Sequence, residues 1–334
     1  MNTTNQDITF DQVHTAKKQR LLTEMMESTC QEILKLGNSN PFLSTCTVCH
    51  SHKIKNFTQR FGFFMSQCQN CKHIFCNPMP DKNQLNYYYN SAMKDFENEF
   101  FLESFENRIP IFNRRIEIIK QHLPTGKLMD VGSAIGIFLT AIQRQQLDYE
   151  LFSCDPNTSA CELLRQKFPS LTCYESMVED LTMSAQFDGI TMWDTIEHVS
   201  NPLLVANKIH SLLRPGGFWF FSTPNTDSFE WSVAGERHVQ ILPPGHINLF
   251  NKASIEHLLS QSNFHLVDSH TLNGSLDISY VQKLLASGDK VFQDNAGQLI
   301  TSHINEPEFA SQLAQFLIET RKAGNIFVIA QKQG

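Results

Sequence analysis

Three groups of side chains in this sequence have the types and spacing to do chemistry. Cys46-x2-Cys49 and Cys68-x2-Cys71 form two knuckles separated by eighteen residues. Four thiolates so spaced can close a tetrahedral zinc site, which leaves no open position for substrate and is therefore structural. The alternative is four buried cysteines without metal. His50, His52 and His73 stand nearby as other ligands, though four sulfurs already satisfy the ion, and Cys76 falls off the spacing and reads as a small buried apolar residue. The second group is the run from Leu128 to Leu139, LMDVGSAIGIFL. It reads as a buried strand, a tight turn and the start of a helix, and Gly132 and Gly136 let the backbone approach a ligand where a Cβ would collide. Asp155 closes the next apolar stretch, a spacing that suits the ribose hydroxyls of an adenosine cofactor. The third group is Glu197-His198, just past an apolar segment ending at Trp193. Histidine is the side chain whose ordinary pKa suits proton removal near neutrality.

The elements that must hold these groups follow from periodicity. Residues 11–36 carry Leu21, Leu22, Met25, Met26, Cys30, Ile33 and Leu34 at helical spacing, and the breakers from Gly37 to Pro41 end that helix. Residues 44–78 are rich in cysteine and aromatics with no helical period. Residues 81–123 turn helical again, with Ile109, Phe112, Ile116, Ile119 and Leu123 stepping by three and four. From Lys127 the rhythm alternates. Strands are expected at 127–131, 150–154, 171–174, 187–193 and 217–222, with helices at 135–146, 158–168 and 202–213. That is a βαβαβ pattern, hence a mostly parallel sheet covered on both faces. Two further strands, 264–268 and 325–331, bracket a segment of helical pattern over 275–322 that reads as an insertion. The domain boundaries expected are a helical segment over 1–40, a zinc ribbon over 41–80, a helical connector and lid over 81–124, and a cofactor-binding domain over 125–334.

Composition narrows the function classes. The 334 residues carry a net charge of −7 with no long basic tract, which argues against a nucleic-acid partner. The first residues lack the apolar core of a secretory signal, and no stretch of about 18 apolar residues exists to cross a membrane. Nine cysteines, four of them in CxxC pairs, fit reduced thiols in a cytoplasmic compartment better than a disulfide framework.

The glycine turn by itself allows a nicotinamide dinucleotide or S-adenosylmethionine. The dinucleotide fingerprint needs G-x-G-x-x-G, whereas Asp130, Gly132 and Gly136 give D-x-G-x3-G. This resembles the first motif of class I S-adenosylmethionine-dependent methyltransferases, in which many members carry a glycine at the position of Ala134. Further motifs follow in the family's order. They are Cys154-Asp155-Pro156, then Glu175 to Leu181, then Phe187 to Asp194 followed by Thr195-Ile196-Glu197-His198-Val199, then Leu213-Arg214-Pro215-Gly216-Gly217. After Cys71 come His73-Ile74-Phe75-Cys76-Asn77-Pro78 and Tyr87-Tyr88-Tyr89, and later Pro243-Pro244-Gly245-His246-Ile247-Asn248-Leu249-Phe250. These are similar to segments of the small-molecule methyltransferases with an N-terminal zinc-binding domain, some of which methylate sugars. The resemblance covers roughly residues 44–270 and the last strand.

The resemblance implies a seven-stranded doubly wound sheet, Rossmann-like, with its final strand antiparallel and a small zinc-ribbon module. It implies S-adenosylmethionine and structural zinc as cofactors, the latter on Cys46, Cys49, Cys68 and Cys71. Asp130, Gly132, Ser133, Ala134 and Gly136 would receive the amino-acid end of the methyl donor. Asp155 would take its ribose, Met177 and Val178 its adenine, and Trp193 and Asp194 would complete that site. The acceptor is expected to be a small molecule, such as a sugar, a sugar nucleotide or a related metabolite. His198 is the candidate general base, with Glu197 binding or orienting; the competing reading is that both cap the next helix and shape the pocket wall. Tyr87, Tyr89 and His246 are candidates for the acceptor side. Two rival functions remain at this level. One is a zinc-ribbon RNA base methyltransferase, which the acidic balance disfavours. The other is a non-catalytic scaffold that keeps the fold.

Overall fold

The computed structural model describes residues 16–184, 186–272, 278–286 and 295–333. Parts of two expected segments lie outside these residues, namely 1–15 of the N-terminal helical segment and 275–277 and 287–294 of the insertion.

The chain begins with α1 (Ala16–Lys35), whose Met26, Cys30 and Ile33 are buried on one side. Three short strands follow, β1 (Ile54–Arg60), β2 (Phe63–Cys68) and β3 (Ile74–Cys76), each antiparallel to the next. The helical stretch resolves into α2 (Lys82–Tyr89), α3 (Ala92–Glu103) and α4 (Phe105–His122). Asp81 caps α2 in a reciprocal box with Gln84, which satisfies two backbone donors at the break between Pro80 and the helix.

The alternating region then builds β4 (Gly126–Val131), α5 (Ile137–Arg144), β5 (Tyr149–Asp155), α6 (Thr158–Lys167), β6 (Thr172–Glu175), β7 (Phe187–Trp193), α7 (Pro202–Leu212) and β8 (Leu213–Pro224). After α8 (Phe229–Ala234) come β9 (Asn248–Leu249), α9 (Lys252–Gln261) and β10 (Phe264–Leu272). The helices α10 (Ile278–Ala286), α11 (Asn295–His303) and α12 (Pro307–Glu319) precede β11 (Asn325–Lys332). β8 starts earlier than the sequence suggested, because Leu213 already pairs with Phe187 before the ladder shifts register at Gly189.

The large sheet has the order β10-β11-β8-β7-β4-β5-β6. Its central pairs are parallel, while β11 runs antiparallel to both neighbours, as expected for the final strand. Both faces are covered. Ile116 and Ile119 of α4, Phe138 and Leu139 of α5 and Leu164 of α6 pack on one face with Leu128, Phe220 and Phe327. On the other, Val205 and Ile209 of α7 and Ile255 and Leu258 of α9 pack with Met129, Trp219 and Val328. Burying each such side chain contributes about 1.5–3 kcal/mol.

The cysteine-rich segment is not a separate bead. Cys46, Val48 and Phe75 belong to the same buried cluster as the second face of the large sheet. Its three strands gain a fourth, β9, contributed by the far end of the chain, giving the order β1-β2-β3-β9. No sequence pattern marks β9, because two residues cannot show alternation. Among the described residues no helix is long and apolar enough to cross a membrane.

Candidate active site

Parallel sheets present ligands at the carboxyl ends of their strands, where the strand order reverses. Here the chain lays down β4, moves outward through β5 and β6, then returns to the other side of β4 with β7. The glycine turn follows β4 at that point. Gly132 has φ +73°, and a Cβ there would lie 2.5 Å from Thr195 Oγ1, so only glycine fits. Gly136, at φ +74°, caps α5, and a Cβ on it would lie 2.5 Å from Leu164 Cδ2. Ala134 adopts φ +44°, which is left-handed backbone at the position where a glycine is common in the family.

Two carboxylates frame the turn. Asp130 is buried, accepts from Thr191 Oγ1 at 2.7 Å, and its backbone oxygen accepts from Ser133 Oγ at 2.7 Å. Burial pushes its pKa up to about 7, against the pull of those hydroxyls. Asp155 accepts from the backbone N–H of Ala134 at 2.9 Å and of Asn157 at 2.8 Å, so it ties the turn to the end of β5. Burial raises its pKa too, and the two N–H donors oppose that rise. Ser176 N–H donates to the Asp155 oxygen, which brings the turn at Met177 and Val178 to the same edge. There Met177 is 45% exposed, whereas Val178 is buried in the core.

Past β7, Asp194 adopts φ +47° and is held by Ser222 Oγ (3.0 Å), Asn325 Nδ2 (2.7 Å) and Arg115 Nη2 (3.3 Å). Its side chain keeps 45% exposure although protein surrounds it, the mark of a group facing into an open crevice. Arg115 holds its carboxyl below the usual range against the cost of burial. Glu197 is buried and accepts from Thr223 Oγ1 at 3.0 Å; burial, and next the Asp194 carboxylate, push its pKa well up.

His198 and His246 meet edge to face with ring centroids 4.8 Å apart. His198 Nδ1 donates to the Gly245 carbonyl and His246 Nδ1 to the Gln240 carbonyl, both at 3.0 Å. A carbonyl can only accept, so each neutral ring carries its hydrogen on Nδ1 and presents a bare Nε2. Burial lowers both pKa values, with His246 and Lys94 adding to the effect at His198. Donor atoms of Glu197, His198 and His246 lie within 4.8 Å of one another, as a metal would need.

α2 and α3 roof this side. Tyr89 faces Glu97, Glu197 and Asp155, and its phenol is pushed up by burial first and by those carboxylates next. Lys94 pairs with Glu97 and lies over the rings of Tyr88 (5.5 Å) and Tyr89 (5.8 Å).

Other expected site residues fall elsewhere. Tyr87 is 41% exposed and lines a hollow with Ser28, Thr29 and Glu32 of α1, because consecutive helical side chains diverge by about 100°. Trp193 packs its indole among Phe112, Phe138 and Phe327 in the core, so only its backbone borders the crevice. Conversely, Arg115 and Arg108 were missed. Arg115 lies over Trp193 (4.9 Å) and Phe112 (5.1 Å), and its Nε and Nη1 are buried without a partner. Burial lowers Arg108 to about 10, and it faces Asp194, Glu97 and Arg115. The signal was present: Arg115 interrupts the apolar stripe of Phe112, Ile116 and Ile119.

The four expected zinc ligands converge. Cys46, Cys49, Cys68 and Cys71 place all four sulfurs within 4.8 Å of one another, with Cys46···Cys71 at 3.7 Å and Cys49···Cys68 at 3.5 Å. Tetrahedral zinc with bonds of about 2.3 Å spaces its sulfurs by about 3.8 Å, so the donor set fits. Cys71 shares its hydrogen with Cys46, which pulls Cys46 down and pushes Cys71 up. Val48 N–H also donates to Cys46 Sγ at 3.5 Å.

A family model described as a methyltransferase domain matches residues 95–269, just over half of the chain. The chain is 26% identical over 178 residues to a ubiquinone biosynthesis O-methyltransferase of Vibrio parahaemolyticus, covering 46% of this chain and 75% of that one. The enzyme of the same name from Albidiferax ferrireducens is 31% identical over 141 residues, covering 39% and 56%. The mitochondrial one of Candida albicans is 30% identical over 142 residues, covering 40% and 43%. Solved structures similar to this chain include Haemonchus contortus phosphoethanolamine N-methyltransferase 2 with S-adenosyl-L-methionine, at 17% identity and TM-score 0.45, covering 66% and 53%. Another is an S-adenosylmethionine-dependent methyltransferase of Mesorhizobium loti, at 16% and 0.43, covering 65% and 96%.

Proposed function

Since the chain belongs to the methyltransferase-domain family, we propose that this S-adenosylmethionine-dependent enzyme methylates a hydroxyl oxygen of a small molecule, with His198 and His246 taking the proton. When bound, S-adenosylmethionine supplies an electrophilic methyl group on a sulfonium. An acceptor hydroxyl placed beside the bound donor would give its proton to a histidine Nε2 as its oxygen takes the methyl group. The observation that carries this reading is the pair of rings whose Nδ1–H groups are spent on the Gly245 and Gln240 carbonyls, leaving both Nε2 atoms bare. The O-methyltransferase relatives support an oxygen acceptor.

Each part of the crevice then has its task. Asp155 takes the ribose hydroxyls on the oxygen faces left beside its two N–H donors. Asp130 and the turn from Gly132 through Ser133 and Ala134 to Gly136 receive the amino-acid end. Arg115 backs this end of the crevice by holding the Asp194 carboxylate. Met177 and Val178 border the adenine. Tyr89 and the Lys94–Glu97 pair cover the acceptor. Cys46, Cys49, Cys68 and Cys71 hold a structural zinc; no disulfide joins any of the nine cysteines, which suits a reducing, cytoplasmic setting. A sugar acceptor is the second reading, suggested by the resemblance of the converging four-cysteine set to that of zinc-bearing sugar methyltransferases.

Calorimetry of the zinc-loaded protein with S-adenosylmethionine, paired with a methyl-release assay over phenolic and sugar hydroxyl acceptors, tests the reading. Donor binding with release to a hydroxyl acceptor is the expected result. Transfer to amine acceptors alone would overturn the oxygen assignment.

A further inference from the structure

The segment carrying His246 is held from two sides, and one side is the cysteine-rich sheet. β9 pairs antiparallel with β3, setting Leu249 opposite Ile74 and Asn248 opposite Phe75. Just before β9, the Ile247 oxygen accepts from Cys76 N–H while Ile247 N–H donates to the Glu197 oxygen, both at 2.9 Å. One residue thus joins the cysteine-rich sheet to the backbone beside His198. Asn251 Nδ2 adds a bond of 3.1 Å to the Cys71 oxygen, on a cysteine of the four-sulfur cluster.

Asn248 makes the same bridge with its side chain. It is fully buried; its Nδ2 donates to the Val199 oxygen at 2.7 Å, next to His198, and its Oδ1 meets His73 Nε2 at 3.1 Å. The His73 ring is itself fixed against Phe250 (4.7 Å) and Phe75 (5.8 Å). Both histidines depend on this segment, because His198 Nδ1 is oriented by the Gly245 oxygen and His246 stands one residue further. Where buried groups share hydrogen bonds in this way, losing one member releases the others.

We propose that the zinc-bearing sheet sets the relative position of His198 and His246, and that Asn248 is the positioning residue that transmits it. The inference rests on the reading of these histidines as the acceptor-side bases. The glycine turn, Asp130 and Asp155 make no bond to this segment among those the structure shows, so the donor half stands apart from it.

The test uses the full zinc-loaded chain with 15N-labelled histidine, reading the Nδ1–H signals of His198 and His246 by NMR, with zinc content and S-adenosylmethionine affinity measured alongside. In Asn248→Ala both signals should broaden or vanish while zinc stays bound and donor affinity holds within about twofold, as for distant sites. Asn248→Asp keeps the acceptor for His73 but loses the donor to Val199, and should do the same. Removing zinc from the unmodified chain with a chelator should reproduce the loss. Turnover, with any acceptor found, should fall about 10²-fold through kcat, the effect of roughly 1 Å of misplacement. Unchanged histidine signals in both variants would overturn the proposal, as would loss of donor binding in step with them. Failure to find a hydroxyl acceptor would sink the functional reading and leave the NMR result standing.

Discussion

The proposed donor half of the crevice runs from Asp130 to Asp155, one strand, one turn, one helix and the strand beside it. Its bonds, such as Ala134 to Asp155 and Ser133 to Asp130, join residues near one another in the chain. The proposed acceptor half takes Tyr89 and Lys94 from the helices before the sheet, His198 from just past the end of β7, and His246 from a segment pinned to the cysteine-rich sheet. The first is local and fixed by backbone geometry; the second is assembled by tertiary contacts. A local site can be kept by a few residue types, whereas an assembled one changes when any of its supports moves, which suits the half that chooses the substrate.

This contrast can be broken from either side. The largest effect should come from His198→Ala combined with His246→Ala, since a positioned base contributes about 10²–10⁴-fold. Turnover should fall within that range while calorimetry shows donor affinity unchanged; a parallel loss of both would show that the halves are not separable. Next comes Gly132→Ala. Backbone strain there costs ~1–3 kcal/mol and the Cβ also meets Thr195, so donor affinity should fall about 10²-fold. Retained affinity would remove the turn from the donor site.

A third effect is in pH. Burial pushes the Asp130 carboxyl up to about 7, and in the role proposed for it Asp130 meets a cationic donor end only when ionised. Below that value the free protein holds a proton that binding must expel, so donor affinity should fall about tenfold per pH unit from 7 toward 5.5. Above about 7 this contribution is complete. A flat profile across that window would show that Asp130 does not meet the cation. The smallest effect sharpens the comparison: Asn157→Ala removes the cap of α6, which accepts from Ala160 N–H at 2.8 Å. Thermal unfolding should report a loss of about 1 kcal/mol, with acceptor turnover unaltered.

Legibility in the sequence follows the same division. Asp130, Gly132, Gly136 and Asp155 could be read directly, because a strand, a turn and a helix leave their marks within a few residues. The four cysteines were legible for the same reason, each pair being its own motif. Tyr87 and Tyr89 could not be told apart from composition; the rotation of α2 sends one toward α1 and the other toward Glu197. The Trp193 indole packs under α4 and α5 against Phe112 and Phe138, and strand alternation gives it a face without showing how far from the crevice that face puts its side chain. Arg115 shows in the sequence only as a charge within an apolar stripe, and the partners of Arg115 and Asn248, Asp194 and Val199, lie far from them along the chain, where spacing leaves no trace of the pairing.

The two-residue strand β9 also bears on how the molecule is made. All four thiols are synthesised long before Leu249, so metal can be captured while β3 still has an open edge. Its closing partner, Leu249, is synthesised only after five strands of the large sheet, and non-local pairings of this kind form slowly. An interrupted chain would therefore carry zinc and an unpaired strand, a surface that invites aggregation, and the step that covers this edge is the one that brings His246 to His198.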